Sequence, residues 1–341
     1  MDNTKKKSTG KRIALIIVCV VLALILLLMI GGSIWVNSVL NRLNRPEDVT
    51  LPDEEIENIL NETDPVEEDF TGEVVDPEDI QMPDAPADEI ETADHIINIL
   101  LIGQDRRENQ GRQRSDAMIL CTINTENKTL VMTSFLRDLY VQLPQWNGKS
   151  YQDNRLNTTY AIGGMGMLDE CLKQNFGVQV DHNIEVDFSG FEDIIDLVGG
   201  VDIELTAAEA GKVGGGAKAG MNHLNGEQAL NYARIRKLDS DFGRTNRQRK
   251  VLTALLAQAK HMSLTQMNNL VNGIIPLITT DMSNGDILGY VMEFFPLLSD
   301  LEVTTQYIPA EGTYQGASVR GMSVLIPDME ANRQILRDTI G

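Results

Sequence analysis

The 341-residue chain has little of what usually marks a metalloenzyme or a disulfide-rich secreted domain. It holds three cysteines and four histidines, and none of them shows the spacing of a zinc site. Neither a phosphate loop ending in G-K-[ST] nor the G-x-S-x-G motif of serine hydrolases occurs. These absences argue against zinc, P-loop and α/β-hydrolase chemistry, and no disulfide is expected.

Basic residues are missing from one long segment. Residues 46–94 contain 20 Asp or Glu and no Lys or Arg, which accounts for nearly all of the formal net charge of -21. Such a segment of one charge sign and low hydrophobicity predicts a mostly disordered extracellular stalk over residues 37–94, with a short helix around 53–60. Its acidic spacing is not that of a calcium-binding EF-hand loop.

An uncharged, almost wholly apolar run covers residues 13–36 and is long enough to cross a bilayer. The basic tail before it, residues 1–12, carries five Lys or Arg against one Asp. The positive-inside rule therefore predicts a single-pass cell-membrane protein with a cytoplasmic N-terminus and an extracellular C-terminal domain. A cleavable signal peptide is disfavoured, because the run is too long and no A-x-A-like site follows closely.

From residue 95 onward the composition is globular, and strand-like and helix-like patterns interleave. Residues 96–103 form an apolar run typical of a central strand, and residues 117–124 and 129–135 read as a hairpin of the same sheet. Helices are predicted, among others, over 166–176 and 191–198. The predicted fold class is therefore α/β or α+β, with a mixed central β-sheet covered by helices on both faces and one transmembrane helix before it.

Two carboxylates lie where neighbouring strands are expected to meet. Asp105 lies two residues past Gly103, and Asp116 begins the next strand. Sites in α/β sheets form at such strand ends, and Mg²⁺ takes one or two carboxylates together with phosphate oxygens. The pair predicts a Mg²⁺ site, with Mn²⁺ as the alternative ion. A structural role stays open, in which Asp105 caps a turn and Asp116 pairs with Arg114.

Arginines recur at predicted strand ends and in one basic stretch. Arg137 ends the third strand and Arg155 follows a polar loop, and each alone reads equally as a surface ion pair. The basic stretch, residues 228–250, holds seven Lys or Arg. Arg234 and Arg236 are two residues apart, so in an extended segment both face one side. Guanidinium groups bind phosphate oxygens bidentately, which makes this stretch a candidate phosphate site.

The second half of the basic stretch reads as a helix. Arg244, Arg247 and Gln248 are three and four residues apart and are therefore predicted to share a helical face. The alternative is a solvated basic helix that pairs with acidic surface elsewhere.

Seven motifs follow one another along the chain: NILLIGQDRR, RSDAMIL, SFLRD, NRLNTTYAIGG, VDFSGFEDIIDLVGGVDIEL, LNGEQALNYARIR and DFGRTNRQR. Together, over residues 96–260, they resemble the LytR-CpsA-Psr family of bacterial cell-envelope proteins. The resemblance implies a catalytic α/β domain over residues 95–262 that binds a polyprenyl diphosphate lipid in an apolar pocket, with Mg²⁺ at the diphosphate. The helices at 191–198 and 251–256 are candidate walls of that pocket. Residues 263–341 either complete this domain or form an addition to it.

The resemblance also implies roles for individual residues. Asp105 and Asp116 match the magnesium-binding acids and, with Arg137, are the implied catalytic residues. The implied diphosphate-binding set is Arg107, Arg114, Arg137, Arg155, Arg234, Arg236, Arg244 and Gln248. Arg155 stands where the family often has lysine. Leu136 stands where it usually has proline, a departure that affects loop stiffness more than charge.

The implied activity is that of a membrane-anchored phosphotransferase or ligase. It would move a glycopolymer, such as a teichoic acid or a capsule, from a polyprenyl-diphosphate carrier to a peptidoglycan acceptor. The general base is left open between Asp105 and Asp116. Two alternatives remain: a non-catalytic envelope sensor or transcriptional attenuator that binds polyprenyl phosphates, and a polyprenyl-diphosphate phosphatase. Nucleic acid is not an expected partner, because the domain is predicted to be extracellular and has little net positive charge.

Overall fold

A computed structural model describes residues 38–47, 49–63, 72–104, 106, 111–235, 238, 241–260, 264–294, 297 and 300–341. The chain divides into two compact units, Met1–Leu43 and Asn44–Gly341. In the first unit only residues 38–43 are described, and they begin with a helical turn. The predicted transmembrane run, residues 13–36, lies outside the described residues. Within the described part of the chain, no helix combines the length and the apolar character needed to cross a membrane.

The second unit interleaves strands and helices, as the sequence predicts. Its strands are β1 (Glu73–Val74), β2 (Ile96–Gln104), β3 (Ser115–Asn124), β4 (Thr129–Phe135), β5 (Tyr140–Val141), β6 (Asn154–Arg155), β7 (His182–Asp187), β8 (Val201–Leu205), β9 (Gly220–Leu224), β10 (Ile278–Thr280), β11 (Glu302–Ile308), β12 (Tyr314–Val319) and β13 (Met322–Pro327). Its helices are α1 (Asp53–Asn61), α2 (Leu156–Phe176), α3 (Phe188–Val198), α4 (Ala207–Val213), α5 (Gly226–Ala233), α6 (Asp241–Ala259), α7 (Leu264–Ile274), α8 (Asn284–Phe294) and α9 (Met329–Ile340).

The central sheet has six strands in the order β10-β7-β2-β3-β4-β11. The β2–β7 and β4–β11 pairs are parallel, while β2–β3, β3–β4 and β7–β10 are antiparallel. The predicted hairpin is therefore confirmed, with Asn124 of β3 paired to Thr129 of β4 across its turn. The mixed central sheet of the predicted fold class is therefore confirmed.

Helices cover both faces of this sheet, because β2 is apolar on both sides. Leu100 and Ile102 face a core that includes α2 and α9. Ile97 and Ile99 face a second core, to which α6 and α8 contribute. Successive side chains of a strand point to opposite faces, so the almost unbroken apolar run is what a strand buried on both sides requires.

The acidic segment departs from the prediction of a mostly disordered stalk over the residues that are described. The short helix expected around 53–60 is present as α1, and it packs against α2. Ile56 is buried in the core beneath α2, with Ile59 and Leu60 packed against it. These three residues lie three and four positions apart, which gives a highly charged helix one apolar stripe to bury. Ile90 is buried in the same core, and β1 pairs with β12.

The segment that the sequence leaves unassigned, residues 263–341, supplies both edge strands of the central sheet, β10 and β11. It also supplies α9, whose N-cap Asp328 accepts a hydrogen bond from the backbone N–H of Ala331. This segment therefore completes the domain.

Helix α2 begins ten residues before the predicted start at 166. Its interior is broken at Gly164 (φ 65°, ψ −151°), a conformation that glycine adopts most readily. The Arg112 side chain donates to the carbonyl oxygens of Ala161 and Ile162 beside this break, at 3.2 and 2.8 Å. The side chain from a distant loop thus satisfies carbonyls that the broken helix leaves exposed.

Candidate functional site

Several strands reach the same edge of the central sheet and bring polar residues there. Gln104, the last residue of β2, pairs with Ser115 of β3 and with Asp187 of β7. Asp116 and Asp187 therefore flank the end of β2 on its two sides. Arg137 follows β4, which runs antiparallel to β3 and ends at the same edge. The structure thus brings together Asp116 and Arg137, two residues of the predicted site, in a pairing that the sequence analysis does not predict.

Arg137 lies among three carboxylates. Its Nη1 donates to Oδ1 of Asp116 at 2.9 Å. Its Nε lies 3.4 Å from Oδ2 of Asp138 and 3.8 Å from Oδ1 of Asp241. Asp241 in turn pairs with Arg244, one turn further along α6. One network therefore joins the ends of β3 and β4 to the first turn of α6.

Arg155 extends this network into the protein interior. Its side chain is 1% exposed, and its Nη1 lies 3.6 Å from Oδ1 of Asp138. Burial raises the pKa of Asp138, while Arg137 and Arg155 act in the opposite direction. Removing one member of a buried ion pair leaves an uncompensated charge and typically costs about 3–5 kcal/mol. These residues therefore fix the geometry of the edge.

An apolar cavity of about 190 Å³ opens beside the network, between the sheet and helices α3, α5 and α6. Phe191 and Ile194 of α3 and Leu252 and Leu255 of α6 line it. These are side chains of the two helices that the sequence proposes as pocket walls. The polar lining is formed by Asp116, Asp187, Arg234, Arg244 and Gln248. The cavity thus combines a wall suited to a hydrocarbon chain with groups suited to a phosphate.

The two halves of the basic stretch reach the cavity from different helices. Arg234 is the C-cap of α5, and its guanidinium lies 4.4 Å from the ring centroid of Phe188. Arg234 therefore ends a helix. The extended conformation that the sequence predicts for Arg234 and Arg236 is wrong for Arg234. Arg244 and Gln248 are four residues apart on α6 and face the cavity together, as predicted.

Arg247 does not share that face, which corrects the prediction. Its Nε donates to Oε1 of Glu209 at 3.0 Å and its Nη1 to the carbonyl oxygen of Ile235 at 3.0 Å. Burial by itself would raise the pKa of Glu209, but hydrogen bonds from Thr206 and Arg247 lower it overall. Arg247 therefore ties α4 and the end of α5 to α6.

Arg114 and Arg155 are predicted diphosphate ligands that the structure places against the acidic segment. Arg114 donates to the carbonyl oxygen of Ile59, and its Nη1 lies 3.4 Å from Oε2 of Glu62. Arg155 Nη2 donates to the carbonyl oxygen of Glu62 at 3.4 Å. The last turn of α1 and Glu62, which follows it, thus contact two arginines expected to bind substrate.

Asp105, Arg107 and Arg236 lie outside the described residues. In sequence Asp105 follows Gln104, whose strand partner Ser115 immediately precedes Asp116. Among the described residues, no group of three or more His, Cys, Asp or Glu is arranged to hold a metal ion. A Mg²⁺ ion that bridges substrate phosphates needs only one or two carboxylates. Asp116 at the cavity fits that smaller requirement.

Three contributors to the site are absent from the set predicted by sequence reasoning. Asp241 links Arg137 to Arg244, Asp187 flanks β2, and Phe188 lies under Arg234. The i, i+3 spacing of Asp241 and Arg244 on a predicted helix could have indicated that these two side chains pair. Asp187 and Phe188 carry no comparable signal, because their roles depend on the pairing of β7 with β2.

Comparison with known proteins identifies the family of the chain. The model of the LytR_cpsA_psr family matches residues 56–339. The polyisoprenyl-teichoic acid–peptidoglycan teichoic acid transferase TagU of Bacillus anthracis is 32% identical over 219 residues, which cover 63% of this chain and 70% of that protein. The regulatory protein MsrR of Staphylococcus aureus is 28% identical over 250 residues, or 72% and 74% of the two chains.

Solved structures give the same result for the fold. TagT bound to LIIa-WTA superposes with a TM-score of 0.59 at 25% identity, over 75% of this chain and 95% of that one. Bacillus subtilis TagV gives a TM-score of 0.59 at 27% identity, over 73% and 96%. The family match begins within α1 and ends within α9, so it covers the whole central sheet. The chain belongs to the LytR_cpsA_psr family.

Proposed function

We propose that this protein transfers a glycopolymer from a polyprenyl-diphosphate carrier to peptidoglycan. One observation carries the proposal: an apolar cavity whose polar lining presents Arg234, Arg244 and Gln248 beside Asp116. A lipid diphosphate has the matching shape, with an apolar chain and an anionic head. The names of TagU and of the TagT complex describe teichoic acid transfer or binding by relatives, which supports a teichoic acid or similar polymer as the cargo.

In this proposal the guanidinium groups neutralise the charge that develops on the leaving phosphate. An acceptor sugar hydroxyl forms a bond to the phosphorus that carries the glycopolymer. The bond from that phosphorus to the bridging oxygen breaks, and the carrier leaves as polyprenyl phosphate. The hydroxyl proton passes to a carboxylate, either Asp116 at this edge or Asp105. Fixed cationic groups beside an apolar cavity stabilise such a transition state strongly, since little water screens them.

Arg137 is placed to hold Asp116 in position rather than to contact the lipid chain, because it donates to that carboxylate at 2.9 Å. Asp116 and Asp105 would hold a Mg²⁺ ion, which would add positive charge at the diphosphate. The apolar run at 13–36 would anchor the protein in the cell membrane with this domain outside, which brings the cavity near its lipid substrate.

The test uses the full chain with a polyprenyl-diphosphate-linked teichoic acid, purified peptidoglycan and Mg²⁺. We expect polymer to become attached to peptidoglycan only when both substrates are present. An Asp116→Asn variant should lose about 100-fold in rate, and chelation of divalent ions should have a comparable effect. A wild-type rate for Asp116→Asn would contradict the assignment of this carboxylate.

A second candidate function has one observation in its favour, which is that the relative MsrR is named a regulatory protein. A sensor that binds polyprenyl phosphates would use the same cavity but would show tight binding without turnover. A phosphatase would release phosphate or polyprenyl phosphate in the absence of peptidoglycan. The same assay, run with and without acceptor, separates the three activities.

A further inference from the structure

A second pocket, of about 130 Å³ and mainly polar lining, lies next to the apolar cavity. The end of β7, the first turn of α3 and the strand β10 contribute to its walls. Asp187 lines this polar pocket and the apolar cavity alike. The proposed function accounts for the cavity but gives the polar pocket no role.

The polar groups of this pocket are held in place by neighbouring side chains. The buried Glu185 carboxylate accepts hydrogen bonds from Gln104 and from the Tyr160 hydroxyl. Arg106 Nη2 lies 3.8 Å from Oε1 of Glu185 and 3.8 Å from Oδ2 of Asp187. A site whose polar groups are already oriented loses little entropy when a ligand binds.

The carboxylate of Asp187 is also fixed, and its two oxygens have different partners. Oδ1 accepts from the backbone N–H of Gly190 at 2.8 Å and from the Ser189 hydroxyl at 2.9 Å. Oδ2 is the oxygen nearest Arg106. The carboxylate that both spaces share is therefore held by the N-terminus of α3.

The chemistry of the lining selects a class of ligand. Three carboxylates, those of Glu185, Asp187 and Asp193, line the pocket together with one guanidinium, which disfavours an anion. Arg106 lies beside two of these carboxylates, where a metal ion would otherwise be expected, and the described residues contain no metal-binding cluster of three acids. Hydroxyl groups suit the carboxylates as donors, and a neutral sugar needs no counter-charge.

We propose that this polar pocket binds the acceptor sugar, a neutral hydroxyl-bearing ring of the peptidoglycan glycan strand. The inference rests on the proposed function, because it assigns the second substrate of the same reaction. The carrier diphosphate occupies the polar end of the apolar cavity, and the acceptor approaches from the opposite side of Asp187. Asp187 orients the acceptor hydroxyl toward the diphosphate, and Asp193, Ser189 and Thr279 contact the rest of the ring.

The experiment uses the full chain and two variants of this pocket, Ser189→Trp and Thr279→Val. Ser189 is exposed at the start of α3, so tryptophan there fills the pocket. Thr279→Val removes one hydroxyl with little change of shape. The Michaelis constant for peptide-free glycan strands is measured at a fixed concentration of lipid-linked teichoic acid. We expect it to rise at least about tenfold for Ser189→Trp and about fivefold for Thr279→Val.

Two controls accompany these variants. Glu204→Gln changes one charge at an exposed position of β8 and should leave the Michaelis constant unchanged. Affinity for polyprenyl diphosphate, measured alone, should stay within about twofold of wild type in every variant, which also shows that each one folds.

Direct binding of the same glycan strands to the full chain, without carrier, separates failure of this proposal from failure of the proposed function. Strand binding by wild type that Ser189→Trp abolishes supports the polar pocket even if no transfer occurs. Strand binding that is equal in both proteins, or absent in both, overturns it. An unchanged Michaelis constant in a transfer-competent Ser189→Trp variant overturns it as well.

Discussion

Two groups of arginines from the same basic stretch have different surroundings. Arg234 and Arg244 line an apolar cavity beside Asp116. Arg247 and Arg249 are buried and donate to backbone carbonyl oxygens, those of Ile235 and Gln306. The first group faces a space that a ligand can fill, whereas the second joins parts of the fold. The number of positive charges in a segment therefore does not reveal how many of them bind a ligand.

Helix geometry explains the division. Consecutive residues of an α-helix are about 100° apart, so Arg247 and Gln248 cannot face the same space. Arg244 and Gln248 are four residues apart and lie on one face, which is the face toward the cavity. Arg247 and Arg249 lie on buried parts of α6, where arginines must find carboxylate or carbonyl partners, while Asn246 and Lys250 face solvent.

The largest effect is expected for Arg234→Ala. Arg234 is exposed and stacks on Phe188, so its loss should cost little stability. Loss of one preorganised cationic group should lower the transfer rate by about 1000-fold, or about 4 kcal/mol. Arg337→Ala, at a half-buried position of α9 where the side chain pairs with Glu330, is the control and should transfer at the wild-type rate. A wild-type rate for Arg234→Ala would remove Arg234 from the site.

Arg247→Met should show the opposite pattern. It leaves Glu209 buried without its guanidinium partner and should lower the free energy of unfolding by about 3 kcal/mol. Transfer per folded molecule should be unchanged. Because Arg247 helps to lower the pKa of Glu209, the stability of wild type that derives from this pair is present above the ordinary glutamate pKa.

That stability is lost as pH falls through the lowered folded pKa of Glu209, so wild type and Arg247→Met should converge in acid. Chemical denaturation at a series of pH values measures this difference. A stable Arg247→Met variant with impaired transfer would show that Arg247 acts like the arginines that line the cavity. It would contradict the distinction between the two groups of arginines.

Ala117→Phe separates the two ends of the cavity. Ala117 lines it on β3, and a phenylalanine there would fill space needed by the lipid chain. Affinity for polyprenyl diphosphate should fall about tenfold, or about 1.4 kcal/mol, while affinity for inorganic diphosphate should not change. Ala117→Ser, which adds little volume, serves as the control. Equal loss for both ligands would show that the substitution disturbs the arginines rather than the apolar wall.

The smallest effect is expected for Glu62→Gln. Glu62 is 61% exposed and lies 3.4 Å from Arg114, so the pair contributes little to stability. If Arg114 binds the diphosphate, removal of this competing carboxylate should raise carrier affinity about twofold. Glu57→Gln, on the exposed side of the same helix, is the control. Unchanged affinity in a titration calorimeter would mean that Arg114 has only a structural role.

Local sequence patterns predicted much of the fold and part of the site. The apolar run that ends at Gly103 predicted β2, and the short turn after Asn124 predicted the hairpin. Strand ends identified Asp116 and Arg137 as site candidates, and the two side chains contact each other at 2.9 Å. These features depend on residues that are close in sequence or on a general property of sheets.

What could not be predicted depends on contacts between distant residues. Arg155 meets Glu62 across 93 positions, and Arg112 meets the break in α2 across about 50. The high charge of the acidic segment led to the prediction of disorder, although an apolar stripe packs α1 against the domain. Asp187 lies at the site because β7 pairs in parallel with β2.

The most direct test is a crystal structure of the protein with bound polyprenyl diphosphate and Mg²⁺. The account predicts the diphosphate within hydrogen-bond distance of Arg234 and Arg244, with the hydrocarbon chain between α3 and α6 against Phe191 and Leu252. A lipid bound outside this cavity, or a diphosphate held by Arg247 or Arg249 instead, would contradict it.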